Sequence, residues 1–165
     1  MRKLNILIAM LAFGLVFVGC DNGTNGTTDT VTQKDYYGSW VAYGSYPNWA
    51  QTVVISENKL VFAIAINYEP IYQGHGTVEN LVWEPVSNRG AYVNEYPEGF
   101  AISGTVTSAT GNYNNLQNPD AQGNIVPVTV GQTVTYYFYL HTDKRSMAQG
   151  HLLTGEVRGI DFPYR

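Results

Sequence analysis

The sequence predicts an all-β fold, an antiparallel up-and-down barrel of about eight strands, with a β-sandwich as the alternative. Three observations lead there. Apolar residues alternate with period two: Leu60, Phe62, Ile64 and Ile66 stand against Lys59, Val61, Ala63 and Ala65, and Val134, Tyr136, Phe138 and Leu140 against Thr133, Thr135, Tyr137 and Tyr139. That spacing puts each set on one face of a strand, and helical spacing fits neither run. No stretch beyond the first residues shows convincing 3.6-residue periodicity over ten or more positions, so parallel strands would have no crossover helix to join them. The turns at Ser56–Lys59 and Gly131–Gln132 are short enough to force their flanks into antiparallel pairs.

In chain order, the strand candidates are Gly38 to Tyr43, Gln51 to Ser56, the Leu60–Ile66 run, Thr77 to Glu84, Phe100 to Thr107, Ile125 to Val130, the Val134–Leu140 run and His151 to Arg158. Each is rich in Val, Thr, Ile or aromatics and is bounded by Gly, Pro or Asn. The stretch Thr107 to Asn124, with GNYNNLQNPDAQGN inside it, has almost no aliphatic residues and reads as a loop. A meander of about 130 residues built this way must close into a barrel or stack two sheets, and sequential short hairpins favour the barrel.

Residues 1–19 read as a secretory leader. Arg2 and Lys3 open it, an apolar run from Ile6 to Val18 follows, and the small residue Gly19 precedes the sole cysteine, Cys20. Thirteen apolar residues fall short of the ~20 needed to span a bilayer as a helix. Phe17-Val18-Gly19-Cys20 resembles the lipobox of bacterial lipoproteins, with Phe17 where Leu is usual. The resemblance implies cleavage before Cys20, a diacylglyceryl thioether on its sulfur and fatty acylation, palmitate for example, at the new amino terminus. The chain is then expected in the bacterial cell envelope, lipid-anchored to a membrane and either periplasmic or surface-exposed. Two or three acyl chains at ~0.8 kcal/mol per buried methylene make a durable anchor. Residues 20–35, the lipidated cysteine and DNGTNGTTDTVTQKD, contain one aliphatic side chain, Val31, and read as a flexible tether. Residues 36–165 are the β-barrel domain.

Composition removes several function classes. The formal charge is −4, and loss of residues 1–19 leaves seven basic against 13 acidic side chains, so a nucleic-acid partner is not expected. A single cysteine excludes an internal disulfide framework and any multi-thiolate metal cage. No G-x-S-x-G, H-E-x-x-H, Walker-type or dinucleotide-binding glycine motif is present, and the reading is of a binding protein with no catalytic residues and no cofactor. His141 and His151 bracket TDKRSMAQG. If Thr133–His141 paired with His151–Arg158, the two imidazoles would face each other near Asp143 and offer three metal ligands; His75 lies in a distant loop, and the pair reads as polar hairpin ends with no metal assigned.

Gly38-Ser39-Trp40 at the start of the first strand, followed by the hairpin TVVISENKLVF and by GTVENLVWEP, resembles the lipocalin-like (calycin-like) domains of bacterial lipoproteins. The resemblance implies that Trp40 packs across the closed end of the barrel and is covered by an arginine from the last strand region, here Arg158. It also implies a small hydrophobic or amphipathic ligand inside the barrel, walled by Leu60, Phe62, Ile64, Ile66, Phe100, Ile102, Tyr136 and Phe138. An eight-stranded barrel can instead be filled by its own side chains. The alternative is an interaction module that presents tyrosine-rich loops, through Tyr43, Tyr46, Trp49, Tyr92 and Tyr96, to an extracellular protein or glycan.

Overall fold

Among the described residues ten strands, β1 (Gly38–Ser45), β2 (Asn48–Ile55), β3 (Lys59–Ile66), β4 (Gly74–Ser87), β5 (Glu98–Gly111), β6 (Gln117–Pro119), β7 (Ile125–Pro127), β8 (Thr133–Leu140), β9 (Met147–Gly150) and β10 (Val157–Phe162), follow one 3-10 turn at Gln33–Tyr36. The computed structural model describes residues 30–45, 48–66, 74–111, 117–119 and 123–163; at 44–45, 48–49, 64–66, 111, 117–119, 125 and 158–161 it describes the backbone alone. Eight strands form one antiparallel sheet in the order β1-β2-β3-β4-β5-β8-β9-β10, and β6 and β7 pair separately. Because β10 comes back beside β1, the sheet is a nearly closed up-and-down barrel, as the alternation and the Ser56–Lys59 hairpin predict; the flanks of Gly131–Gln132 do not pair with each other, since β7 pairs with β6 and β8 with β5 and β9.

Register carries the sequence pattern inward. Trp40 stands opposite Val53, Val53 opposite Phe62, and Phe62 opposite Gly76. On the other side Phe100 faces Phe138 and Ile102 faces Tyr136. Side chains directly opposite one another share a face, so these rows fill the barrel axis. The sheet curls this tightly with help from two bulges between β4 and β5, at Thr77/Val78 and Glu79/Val82, where an extra residue sharpens the local twist.

Three boundaries differ from the sequence expectation. β4 and β5 are fourteen residues each, because their hairpin continues to Gly74↔Gly111, past the point where β8 leaves β5 at Thr105; residues 107–111 therefore belong to a strand and not to the loop. Strand structure in the 125–130 stretch ends at Pro127. The strand expected over His151–Arg158 is two short ones, β9 and β10. Gly155 at φ +70, with Gly155 N donating to the His151 carbonyl at 2.8 Å, makes 151–156 a turn between them.

Ordered contacts also begin before Tyr36. Thr32 N–H and hydroxyl both donate to Asp35 Oδ2, at 2.7 and 3.0 Å, a reciprocal cap on the 3-10 turn. Val31 and Tyr37 pack against the barrel core. The turn drops Tyr36, 0% exposed, into the end of the barrel. Its hydroxyl accepts the Leu140 N–H at 3.2 Å, and its ring meets Phe100 edge-on at 5.5 Å. Gly38, at φ +135, turns the chain from this plug into β1 in a conformation that side chains with a Cβ rarely adopt.

Candidate functional site

The barrel interior is the first place to look for a ligand, and in its described part it is occupied by the protein. Leu60, Phe62, Ile102, Tyr136 and Phe138 are fully buried, and Phe100 nearly so. Phe62 lies 4.9 Å from Tyr136 and 6.2 Å from Phe138, centroid to centroid. These six expected wall residues belong to one core cluster with Trp40, Tyr36, Val53 and Met147. Ile64 and Ile66 lie on β3, and their side chains fall outside the described residues. Trp40 packs at the end plugged by Tyr36, with its indole N–H donating to the Tyr36 carbonyl at 2.8 Å, which is how a buried indole avoids an orphaned donor. Arg158 lies on β10, and its side chain, like all of Cys20, is outside the described residues.

The outer wall holds a second, smaller cluster. Tyr137 and Tyr139 point away from the barrel axis on β8, and Tyr96, Ala148, Val157 and Val86 pack with them. The cause is local: β5 presents Gly99 and Ala101 on this face, opposite Tyr139 and Tyr137. A Cβ built on Gly99 would lie 2.1 Å from the Phe138 carbonyl and 2.6 Å from Tyr139 Cδ1, so the ring occupies the room that the missing side chain leaves. Tyr139 donates its hydroxyl to the Gly155 carbonyl at 2.6 Å. Burial, with a smaller contribution from neighbouring Tyr137, pushes its pKa above the ordinary phenol value.

Between the end of β4 and the 151–156 turn, these tyrosines floor an open cleft of about 430 Å³ whose walls include Val86, Ser87, Arg89, Thr154 and Gly155. Tyr137 is half-buried and Arg89 exposed, and Arg89 forms no ion pair among the described residues. Neighbouring Asn88 is 3% exposed. Its Oδ1 accepts from Gly90 N at 2.9 Å and Val157 N at 3.3 Å, which ties the 88–97 loop to β10 and fixes the cleft's rim. The cleft thus combines aromatic faces, hydroxyls and one uncommitted guanidinium. A second cleft of about 280 Å³ lies beside it, where Thr30 and Val31 approach Ser87, Glu98 and Phe100.

The tyrosine-rich loops divide. Tyr43 is 64% exposed and Tyr92 51%, whereas Tyr96 is 7% exposed and belongs to the outer cluster. Its hydroxyl lies 3.3 Å from Ser146 Oγ, and its ring meets His141 edge-on at 5.4 Å. Tyr46 and the side chain of Trp49 lie outside the described residues. Sequence inspection missed Tyr137 and Tyr139 as a surface feature; the signal was the outward half of the β8 alternation.

The pairing that would set the two imidazoles face to face does not form: β8 pairs with Met147–Gly150, which puts His141 and His151 at opposite ends of β9. Among the described residues no three His, Cys, Asp or Glu side chains gather as a metal site. His141 Nδ1 instead lies 2.8 Å from Asp143 Oδ1. The Arg145 N–H, bonded to Asp143 at 2.9 Å, and then His141 hold that carboxyl below its ordinary pKa. His75 faces Thr110 across the long hairpin, with the hydroxyl 2.9 Å from its Nδ1.

Among the described residues no helix is long and apolar enough to cross a membrane. Compared with protein-family models, with curated proteins and with solved structures, the chain matches none of them.

Proposed function

We propose that this chain is a lipid-anchored envelope protein of the bacterial lipoprotein kind that binds a glycan on the outer wall of its barrel, the barrel being a rigid support. The observation that carries the reading is the tyrosine-floored cleft beside an uncommitted Arg89, set against an interior whose described part is occupied by the protein's own side chains. A pyranose ring stacks its C–H face on Tyr137, as amphipathic aromatic surfaces do at low entropic cost. Ser87 and Thr154 meet its hydroxyls, and Arg89 receives a carboxylate through paired N–H donors. Lipidation at Cys20 rests on the lipobox-like leader and holds the barrel at a membrane. No reaction is assigned.

Calorimetric titration of the chain from Cys20, with Cys20→Ser for solubility, against neutral and uronic-acid-containing oligosaccharides tests this. Loss of one stacking contact of ~1.4 kcal/mol predicts about tenfold weaker binding for Tyr137→Ala and little change for Tyr137→Phe. Arg89→Gln abolishes the preference for acidic sugars. Glycan binding that ignores Tyr137→Ala overturns the site. An apolar probe that binds, and is lost on Phe138→Ala with Tyr137→Ala silent, transfers the function to the barrel interior.

A further inference from the structure

From the place where the tether meets the barrel, we infer that the end carrying the 88–97 loop is a membrane-docking face, with Tyr92 and Val93 set into the headgroup region of the bilayer that holds the anchor. The inference rests on the lipid-anchor part of the reading above and not on the glycan.

Thr30 and Val31 lie against Ser87 and Glu98, the residues at the two feet of the 88–97 loop. The chain from Cys20 therefore arrives at this end of the barrel. Ten Cα–Cα steps separate Cys20 from Thr30, a contour of at most ~35 Å. An eight-residue strand such as β1 or β3 is ~27 Å long. To bring the opposite end to the bilayer, the tether would have to run back along the wall and use most of its contour. With the loop end facing the bilayer, the tether keeps its freedom.

Charge and shape point the same way. The segments 33–35, 56–59, 88–98 and 141–146, which make up this end, carry five basic and five acidic side chains, and Glu156 lies against Gly90 of the same loop. This end is thus close to neutral, its basic side chains offsetting all but one of the acidic ones, and an anionic leaflet does not exclude it. Within it, Tyr92 and Val93 are neighbours at 51% and 41% exposure. The loop bearing them is braced by Tyr96 N donating to the Tyr92 carbonyl at 2.9 Å and by Thr142 N donating to the Glu95 carbonyl at 2.9 Å. An exposed aromatic beside an aliphatic, on a braced loop of no net repulsion, has the make-up of an interfacial anchor, with the ring at headgroup depth and its hydroxyl in water.

The sole thiol makes the test direct. The chain from Cys20 is coupled through that thiol to a maleimide lipid in vesicles of phosphatidylethanolamine and phosphatidylglycerol, and its amide hydrogen exchange is compared with that of thiol-capped protein in solution. Amides of 88–97 slow by about fivefold or more, those of 123–132 are unchanged, and Tyr92→Ser with Val93→Ser restores the solution rate while exchange in β8 stays the same. Unchanged exchange at 88–97, or slowing confined to 123–132, overturns the docking face whatever becomes of the anchor. Absence of radiolabelled palmitate from the full-length chain in cells, judged against Cys20→Ser, overturns the anchor whatever the exchange shows.

Discussion

Replacing Tyr36 by Phe removes one oxygen from the barrel's plug and leaves every ring contact in place. The ring stays 5.5 Å from Phe100, and the Trp40 indole keeps its partner, which is the Tyr36 carbonyl. What is lost is the acceptor of the Leu140 N–H, 3.2 Å away in a site with no exposure. Leaving such a donor unmet costs about 1–3 kcal/mol. At a urea slope of about 2 kcal/mol/M the midpoint falls by roughly 0.5–1.5 M, read from tryptophan fluorescence. The same hydroxyl has a pH signature. Burial above all, offset in part by the Leu140 N–H, pushes its pKa well above the ordinary 10.0. The folded state therefore holds this proton when the unfolded state releases it. The contribution is fully present below pH 10 and is lost as pH rises toward the elevated value, at about 1.4 kcal/mol per unit. Tyr139, also pushed up, remains in both proteins, so both lose stability in alkali and the wild type loses it faster. A variant within about 0.5 kcal/mol of wild type at pH 7, less than the lower bound for an orphaned donor, refutes the hydrogen bond. A gap that stays constant above pH 10 refutes the buried phenol.

Two further perturbations follow from the same contacts. Gly99→Ala puts a methyl 2.1 Å from the Phe138 carbonyl and must part β5 from β8, a loss of about 3 kcal/mol or more. By contrast Gly131→Ala, at φ +90 with nothing within 4 Å, costs only about 1–2 kcal/mol of backbone strain; equal melting temperatures for the two variants contradict the packing described. Asp35 is desolvated, which raises its pKa, but the Thr32 N–H and hydroxyl and then Lys144, 3.4 Å away, outweigh that and leave it below the ordinary 3.8. Its stabilisation is present above about pH 4 and is lost as pH falls through the lowered value. Asp35→Asn accordingly flattens the acid limb of stability against pH, and an unchanged limb in circular dichroism removes the cap from the account.

The strands legible in the sequence were those whose alternation is long: β3 and β8 show it over eight residues, and Leu60 and Phe62 of one with Val134, Tyr136, Phe138 and Leu140 of the other stand in the core. β9 was not legible, since Met147-Ala148-Gln149-Gly150 is too short and mixed to show a period, and its burial comes from β8 and β10 on either side. The misplaced strand at His151–Arg158 has β-forming residues but also the Thr154-Gly155 pair, whose turn chemistry prevailed over propensity. Thr32 and Asp35 stood at capping-box spacing inside a segment that composition assigns to a linker, so the local motif outweighed the bulk polarity. The cleft was invisible for another reason. Gly99, Ala101, Tyr137 and Tyr139 come together only through the β5–β8 register, and one-dimensional periodicity says which face a residue takes, not which neighbour it meets.

The bond from Tyr36 to Leu140 joins groups 104 positions apart, and β1 waits longer still for β10. Emerging amino terminus first during synthesis, the polypeptide delivers the stopper long before the strand that receives it. Until then only successive hairpins can form, each too small to persist alone. Closure therefore comes last, once the final strand has emerged, and the chain stays open along its whole length until then.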